Sequence, residues 1–197
     1  IPESDAWPWL YSYSSSTTNI DIPPLIQSGP LTWWHHILGT SQYSAERGKG
    51  IRIGVADTGV GPHPNLAHIT GIGSFLNGSY HAEPENTADI EKHGTHVCGI
   101  IGARPGMDGG VAGISPGVSI FAARVYRESR DDTDPVASNA DIANAVDELS
   151  DTCDCDLINL SLGGKNQSRI EADAVLSALE RGSLVLCAAG SWCGNRP

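Results

Sequence analysis

The chain is short of positive charge. Its 197 residues carry 12 Lys and Arg against 23 Asp and Glu, a formal net charge of −11. Grip on a phosphate backbone needs clustered basic side chains, so no nucleic-acid partner is expected. The same acidity disfavours an anionic membrane surface. Long apolar runs are also missing. None approaches the roughly 20 residues that cross a bilayer, so no membrane partner is expected either. The opening stretch IPESDAWPWLYSYSSS has neither a basic start nor an apolar core and does not read as a signal peptide.

Ordered cysteine spacing is absent too. Five cysteines, Cys98, Cys153, Cys155, Cys187 and Cys193, form no CxxC pair and no zinc-ligand pattern. No metal and no cofactor are expected. An odd count does not suit a disulfide framework. It leans toward a reducing, cytoplasmic compartment, with one pairing such as Cys187 with Cys193 left open. The run DTCDCD at 151–156 reads as an exposed acidic loop in preference to a soft-metal site. There is no internal repeat.

What is present is a domain's worth of apolar residues, 40% of the chain. Residues 1–50 are rich in Ser, Thr, Pro and Trp without a sustained period. They read as an arm wrapping the domain, with a short helix over 31–38 and Trp33 and Trp34 as packing residues. From Ile51 the pattern changes. Residues 51–56 (IRIGVA) predict a strand ending at Asp57, and the Gly-, Pro- and Asn-rich stretch 58–92 predicts mostly loop. A helix over 93–103 and a strand over 118–125 follow. Residues 138–150 predict an amphipathic helix opened by a Ser138/Asp141 capping box. A strand over 156–162 precedes a helix over 168–182, with Ser168/Glu171 as its box and Gly182 at its end. The last strand covers 183–189. Such alternation means an α/β fold with a parallel sheet and helices on both faces, one domain over 51–197. Sites in such sheets form at the carboxyl ends of strands. Asp57, the segment Ser161, Leu162, Gly163, Gly164, and Gly190 with Ser191 all stand at strand ends.

Asp57-Thr58-Gly59 by itself is ambiguous, because Asp-Thr-Gly also marks aspartic peptidases. Those are all-β and use two carboxylates, and here there is one copy in a βα pattern. The run His93-Gly94-Thr95-His96-Val97-Cys98-Gly99 is more specific. With GVADTGVGPHPNL (54–66) before it, and ISPGVSIFAARV (114–125) and DLINLSLGG (156–164) after it, the chain resembles the subtilisin-like serine peptidases over residues 51–197. The resemblance implies a chain order of Asp, His, then Ser. It makes His93 the general base and Asp57 the carboxylate that fixes its tautomer. Ser161, Leu162, Gly163 and Gly164 match the segment that pairs with extended substrate. Ala188, Ala189 and Gly190 match the wall of the first specificity pocket. Protein or peptide would be the substrate. Gly94 would allow close approach beside His93, while Gly99, Gly102 and Ala103 would let the helix pack tightly on the sheet. His96 shares the helix face of His93 and reads as a satisfied histidine, not a metal ligand.

Two departures stand out. The family's oxyanion position, usually Asn, is Ser191, and losing such a donor costs about 10²–10³ in rate, a magnitude taken from a subtilisin. No Gly-Thr-Ser segment follows Ser191. Gly39-Thr40-Ser41 precedes Asp57, in the wrong order and in the arm. The expected partner is therefore a second polypeptide, the C-terminal part of the same peptidase domain, which carries the nucleophile. The alternative from another class is an inactive, peptide-binding pseudoprotease. A cysteine hydrolase using Cys98 or Cys193 with His93 is a third reading. The family often carries calcium. Here Asn65 stands where Asp is frequent and 102–113 is poor in oxygen ligands, so no calcium is expected.

Overall fold

Runs of β-branched and small apolar residues build the centre of the molecule. In the computed structural model, residues 31, 34–35, 38–40, 44–105, 110–128, 136–164 and 168–189 are described. The RIGVAD run forms β1 (Arg52–Asp57), flanked in parallel by β4 (Ser119–Arg124) and β7 (Leu157–Leu160). Outward from these lie β2 (Thr70–Leu76) beside β4 and β8 (Leu184–Cys187) beside β7, both parallel. A short β3 (Ser79–His81) adds antiparallel to β2, giving the order β3-β2-β4-β1-β7-β8. A two-stranded ribbon, β5 (Tyr126–Arg127) with β6 (Val136–Ala137), stands apart from the sheet.

Side chains alternate across a strand, so both faces of β1 are covered. Ile53 and Val55 pack with Ile120, Ala122 and Cys98 on one face, where helix α1 (His93–Gly102) lies. Ala56 packs with Ala123, Ile158, Val146 and Ala178 on the other, beneath α2 (Asn139–Asp147) and α3 (Arg169–Glu180). Helices thus cover both faces, as the alternation requires. Both predicted caps form: the Ser138 hydroxyl accepts from Asp141 N–H at 3.1 Å and that of Ser168 from Glu171 N–H at 3.3 Å. Gly182 follows α3 at φ 98°, a left-handed helix stop. A π-helical turn, Glu148–Thr152, extends α2.

Residues 58–92 are mostly loop and turn as expected, but two strands that the sequence did not predict, β2 and β3, lie within them. β2 carries two glycines at a register shift, and Gly73 sits at φ 112°, so its strand signal is broken by a bulge. The DTCDCD run is not exposed throughout: its aspartates and Thr152 face water, but Cys153 and Cys155 turn into the core. Gly99 is not a packing glycine, as a Cβ there would meet nothing within 4 Å, whereas one on Gly102 would press on Ile120. In the arm, Trp34 and His35 are helical, with Trp34 half-buried, and Trp33 lies outside the described residues. His35 is fully buried with Nε2 3.4 Å from Gly113 O, and the Arg47 guanidinium donates to Ile114 O at 3.0 Å.

Candidate active site

Asp57 ends β1 on the central axis of the sheet and is 1% exposed. Its backbone is fixed on the β4 side, where Val125 N–H donates to Asp57 O at 2.9 Å. The chain then turns through Gly59, at φ 116°, where any Cβ would strike Thr87 O. His93 is the first residue of α1, entered from Lys92 at φ 67°. Gly94 lets this helix start lie against β1. A Cβ there would collide with the Gly59 carbonyl and come within 3.1 Å of Asp57 Cβ and Oδ1.

The result is a 2.7 Å contact between His93 Nδ1 and Asp57 Oδ1. A carboxylate can only accept, so Nδ1 carries the proton and Nε2 keeps its lone pair. Thr58 N–H donates to the same Oδ1 at 2.7 Å, while Oδ2 is buried without a partner among the described residues. Burial pushes the Asp57 carboxyl above its ordinary range, and the bonds from His93 and Thr58 offset part of that. The imidazole is about one-third exposed. Asp57 is hidden and the base is open, an arrangement suited to taking a proton from an incoming hydroxyl.

Sequence reading missed Asp89, which braces the turn before His93. Its Oδ1 accepts from Thr58 Oγ1 at 2.8 Å, Glu91 N–H at 3.0 Å and Lys92 N–H at 2.9 Å. Its Oδ2 accepts from Thr95 N–H at 2.9 Å and from the Thr95 hydroxyl. Thr58 Oγ1 in turn accepts from Gly94 N–H at 2.9 Å. One carboxylate thereby joins the Asp57 turn to the first turn of α1. Burial opposes the Asp89 charge, but the Thr95, Glu91 and Thr58 donors outweigh it and hold the carboxyl below its ordinary range. The available signal was an acidic residue four positions before His93, just ahead of a helix N-terminus that favours negative charge.

The remaining predicted residues fall into two groups. Ser161, Leu162, Gly163 and Gly164 follow β7. The Ser161 Oγ accepts from Asn159 Nδ2 at 2.9 Å, and Leu162 packs on the core. A Cβ on Gly163 or Gly164 would meet nothing within 4 Å, and neither has a positive φ. Ala188 and Ala189 are exposed beyond β8, with Ala188 N–H donating to Leu160 O at 3.0 Å. Gly190, Ser191 and Cys193 lie outside the described residues. His96 is exposed on α1. Cys98 is buried beneath the site, its thiol pushed up to about 12 by burial and by the charges of Asp57 and Asp89. No group of three or more His, Cys, Asp or Glu among the described residues is arranged to hold a metal ion. Nor is any helix among them long and apolar enough to cross a membrane.

Residues 48–192 match the Subtilase family. The chain belongs to this family. Among curated relatives of this subtilase chain, Subtilisin Savinase of Lederbergia lenta is 37% identical over 144 residues, covering 73% of this chain and 49% of that protein. Minor extracellular protease Epr of Bacillus subtilis (strain 168) is 34% identical over 155 residues, 76% of this chain and 21% of that protein. The Major intracellular serine protease of the same organism is 32% identical over 146 residues, 74% and 44% respectively. The chain thus spans about half the length, or less, of the relatives it matches. Their names put one outside the cell and another inside it.

Proposed function

We propose that this chain supplies the Asp57–His93 half of a serine endopeptidase, and that the nucleophilic serine comes from a segment of the same domain outside residues 1–197. The observation that carries it is the 2.7 Å Nδ1–Oδ1 contact, with Asp57 buried and the imidazole open. Nε2 would take the serine proton as the hydroxyl attacks the peptide carbonyl, then return it to the leaving amine. Asp57 stabilises the imidazolium formed in between. The family matched and the proteases among its relatives support the reaction class.

Two surface features support that segment and the substrate. Among the described residues strand β8 is the sheet edge, with Leu184 and Leu186 about half exposed, and α3 beside it exposes Ile170, Leu176 and Leu179. An open edge bordered by apolar side chains calls for further parts of the domain to cover it. At Gly163 and Gly164 neither packing nor backbone angle demands glycine. What bare backbone provides there is an approach for an added substrate strand.

The test is hydrolysis of a peptide library by the native preparation, comparing wild type with His93→Ala and Asp57→Asn. Loss of about 10⁴ in kcat for each supports the dyad, by analogy with removal of a triad member elsewhere. Unchanged hydrolysis in either variant rejects it. If no peptide is cut but peptides bind, the inactive, peptide-binding alternative replaces it.

A further inference from the structure

The chain holds a single Asn-Gly pair, Asn77-Gly78, and it forms the tip of the β2–β3 hairpin. Both residues are exposed, at φ 56° and 75°, between the paired ends Leu76 and Ser79. Asn-Gly favours this turn. It also favours an internal reaction, because glycine puts no side chain in the way of its own backbone nitrogen. That nitrogen loses its proton and attacks the preceding Asn Cγ. A new N–Cγ bond forms, the Cγ–Nδ2 bond breaks and ammonia leaves, giving a succinimide. Water then opens the ring to aspartate or, with the backbone rerouted through the side chain, to isoaspartate.

Two side chains act on this reaction in opposite directions. The Arg127 guanidinium donates to Asn77 Oδ1 at 2.7 Å. A cation there draws electrons from Cγ and stabilises the charge that builds on Oδ1 during attack. Asp141 opposes it. Asp141 is 2% exposed, and its Oδ1 accepts from Gly78 N–H at 2.7 Å while its Oδ2 accepts from Asn77 N–H at 3.1 Å. The proton that must leave the attacking nitrogen is therefore held by a carboxylate, whose charge also disfavours the amide anion left behind. Asp141 is itself anchored in the first turn of α2, where its own N–H donates to the Ser138 hydroxyl at 3.1 Å. We infer that Asn77 is a deamidation site, activated by Arg127 and kept closed by Asp141, so that it converts only when the hairpin tip leaves the start of α2. Isoaspartate would add a backbone atom to the two-residue turn and loosen β3 from β2.

The test follows residue 77 over time by peptide mapping for aspartate and isoaspartate. The native preparation, with a fluorophosphonate present to stop self-digestion, is compared with the same chain in urea. Two charge-assisted bonds must break before the folded chain can react, so it should convert at least about 100-fold more slowly. Asp141→Asn keeps one side-chain acceptor but removes the charge, and should speed the folded reaction about 10–100-fold. Adding Arg127→Gln to it should slow the reaction again. Folded wild type converting at the unfolded rate, no conversion in urea, a folded Asp141→Asn as slow as wild type, or a double variant as fast as Asp141→Asn overturns the inference. If Asp141→Asn does not fold, hydrogen exchange at the Gly78 amide of wild type decides. Slow exchange is expected, and exchange at the rate of an open peptide overturns the inference.

Discussion

Gly94→Ala is a one-methyl perturbation whose outcome the packing decides. Two effects oppose each other. Alanine is the better helix former by about 1 kcal/mol. The added Cβ, however, would overlap the Gly59 carbonyl and stand 3.1 Å from Asp57 Cβ and Oδ1. These neighbours are backbone and a buried carboxylate, with Gly59 itself pinned against Thr87 and Ala88, so none can swing away. Overpacking of this kind costs about 1–3 kcal/mol and wins over propensity. Net of the propensity gain the cost is up to about 2 kcal/mol, and at about 2–4 °C per kcal/mol for a chain of this size the melting temperature should fall by up to roughly 8 °C. Lifting the first turn of α1 also pulls His93 from Asp57, and a 1 Å misplacement at a reacting group costs about 100-fold in rate. Gly99→Ala is the matched control, on the same helix with open space around it. It should raise the melting temperature slightly, gaining up to about 1 kcal/mol. Calorimetry of both variants and kcat/KM of the native preparation are the assays. If Gly94→Ala is tolerated as well as Gly99→Ala, the contact argument for α1 is wrong.

Other outcomes follow from the charged groups. Asp57 has a raised carboxyl pKa, so its ionised form is penalised in the fold, and its contribution to stability is lost as pH rises from its ordinary value of 3.8 through the folded value. Asp57→Asn should therefore melt no lower than wild type at pH 7, with the difference closing below pH 3.8; a clear loss of stability at pH 7 refutes this. Asp89 has the opposite sign: its stabilisation is present above its ordinary value of 3.8 and disappears as pH falls through its lower folded value. Asp89→Ala should cost about 2–4 kcal/mol at neutral pH, with the gap to wild type narrowing in acid, as chemical denaturation at several pH values would show. Cys98 is buried with its thiol near 12, so native alkylation at neutral pH should modify Cys187, which is exposed, and spare Cys98. Rapid alkylation of Cys98, read by peptide mapping, would revive a cysteine-based mechanism.

Much of the fold was legible because its strands are short apolar runs and its helices begin with side-chain caps. Ser138 and Ser168 announced α2 and α3 to the residue. Asp57 and His93 were legible because their motifs are local, and the fold brings together residues 36 apart. The β2–β3 hairpin was readable in principle from Asn77-Gly78, whose φ values of 56° and 75° suit a two-residue turn. The glycines of β2 hid it. What settles that hairpin is nonlocal: the buried Asp141 carboxylate accepts from Asn77 N–H at 3.1 Å and Gly78 N–H at 2.7 Å. Asp89 was missed for a similar reason, since its donors gather only when the Thr58 turn meets α1.

The central claim is that Asp57 and His93 activate a serine of the same domain. Denaturing intact mass of the native preparation, after treatment with a fluorophosphonate probe, tests it most directly. The account predicts one probe adduct, on a serine outside residues 1–197, and loss of the adduct in His93→Ala. An unlabelled preparation, an adduct within residues 1–197, or labelling that survives His93→Ala would contradict it.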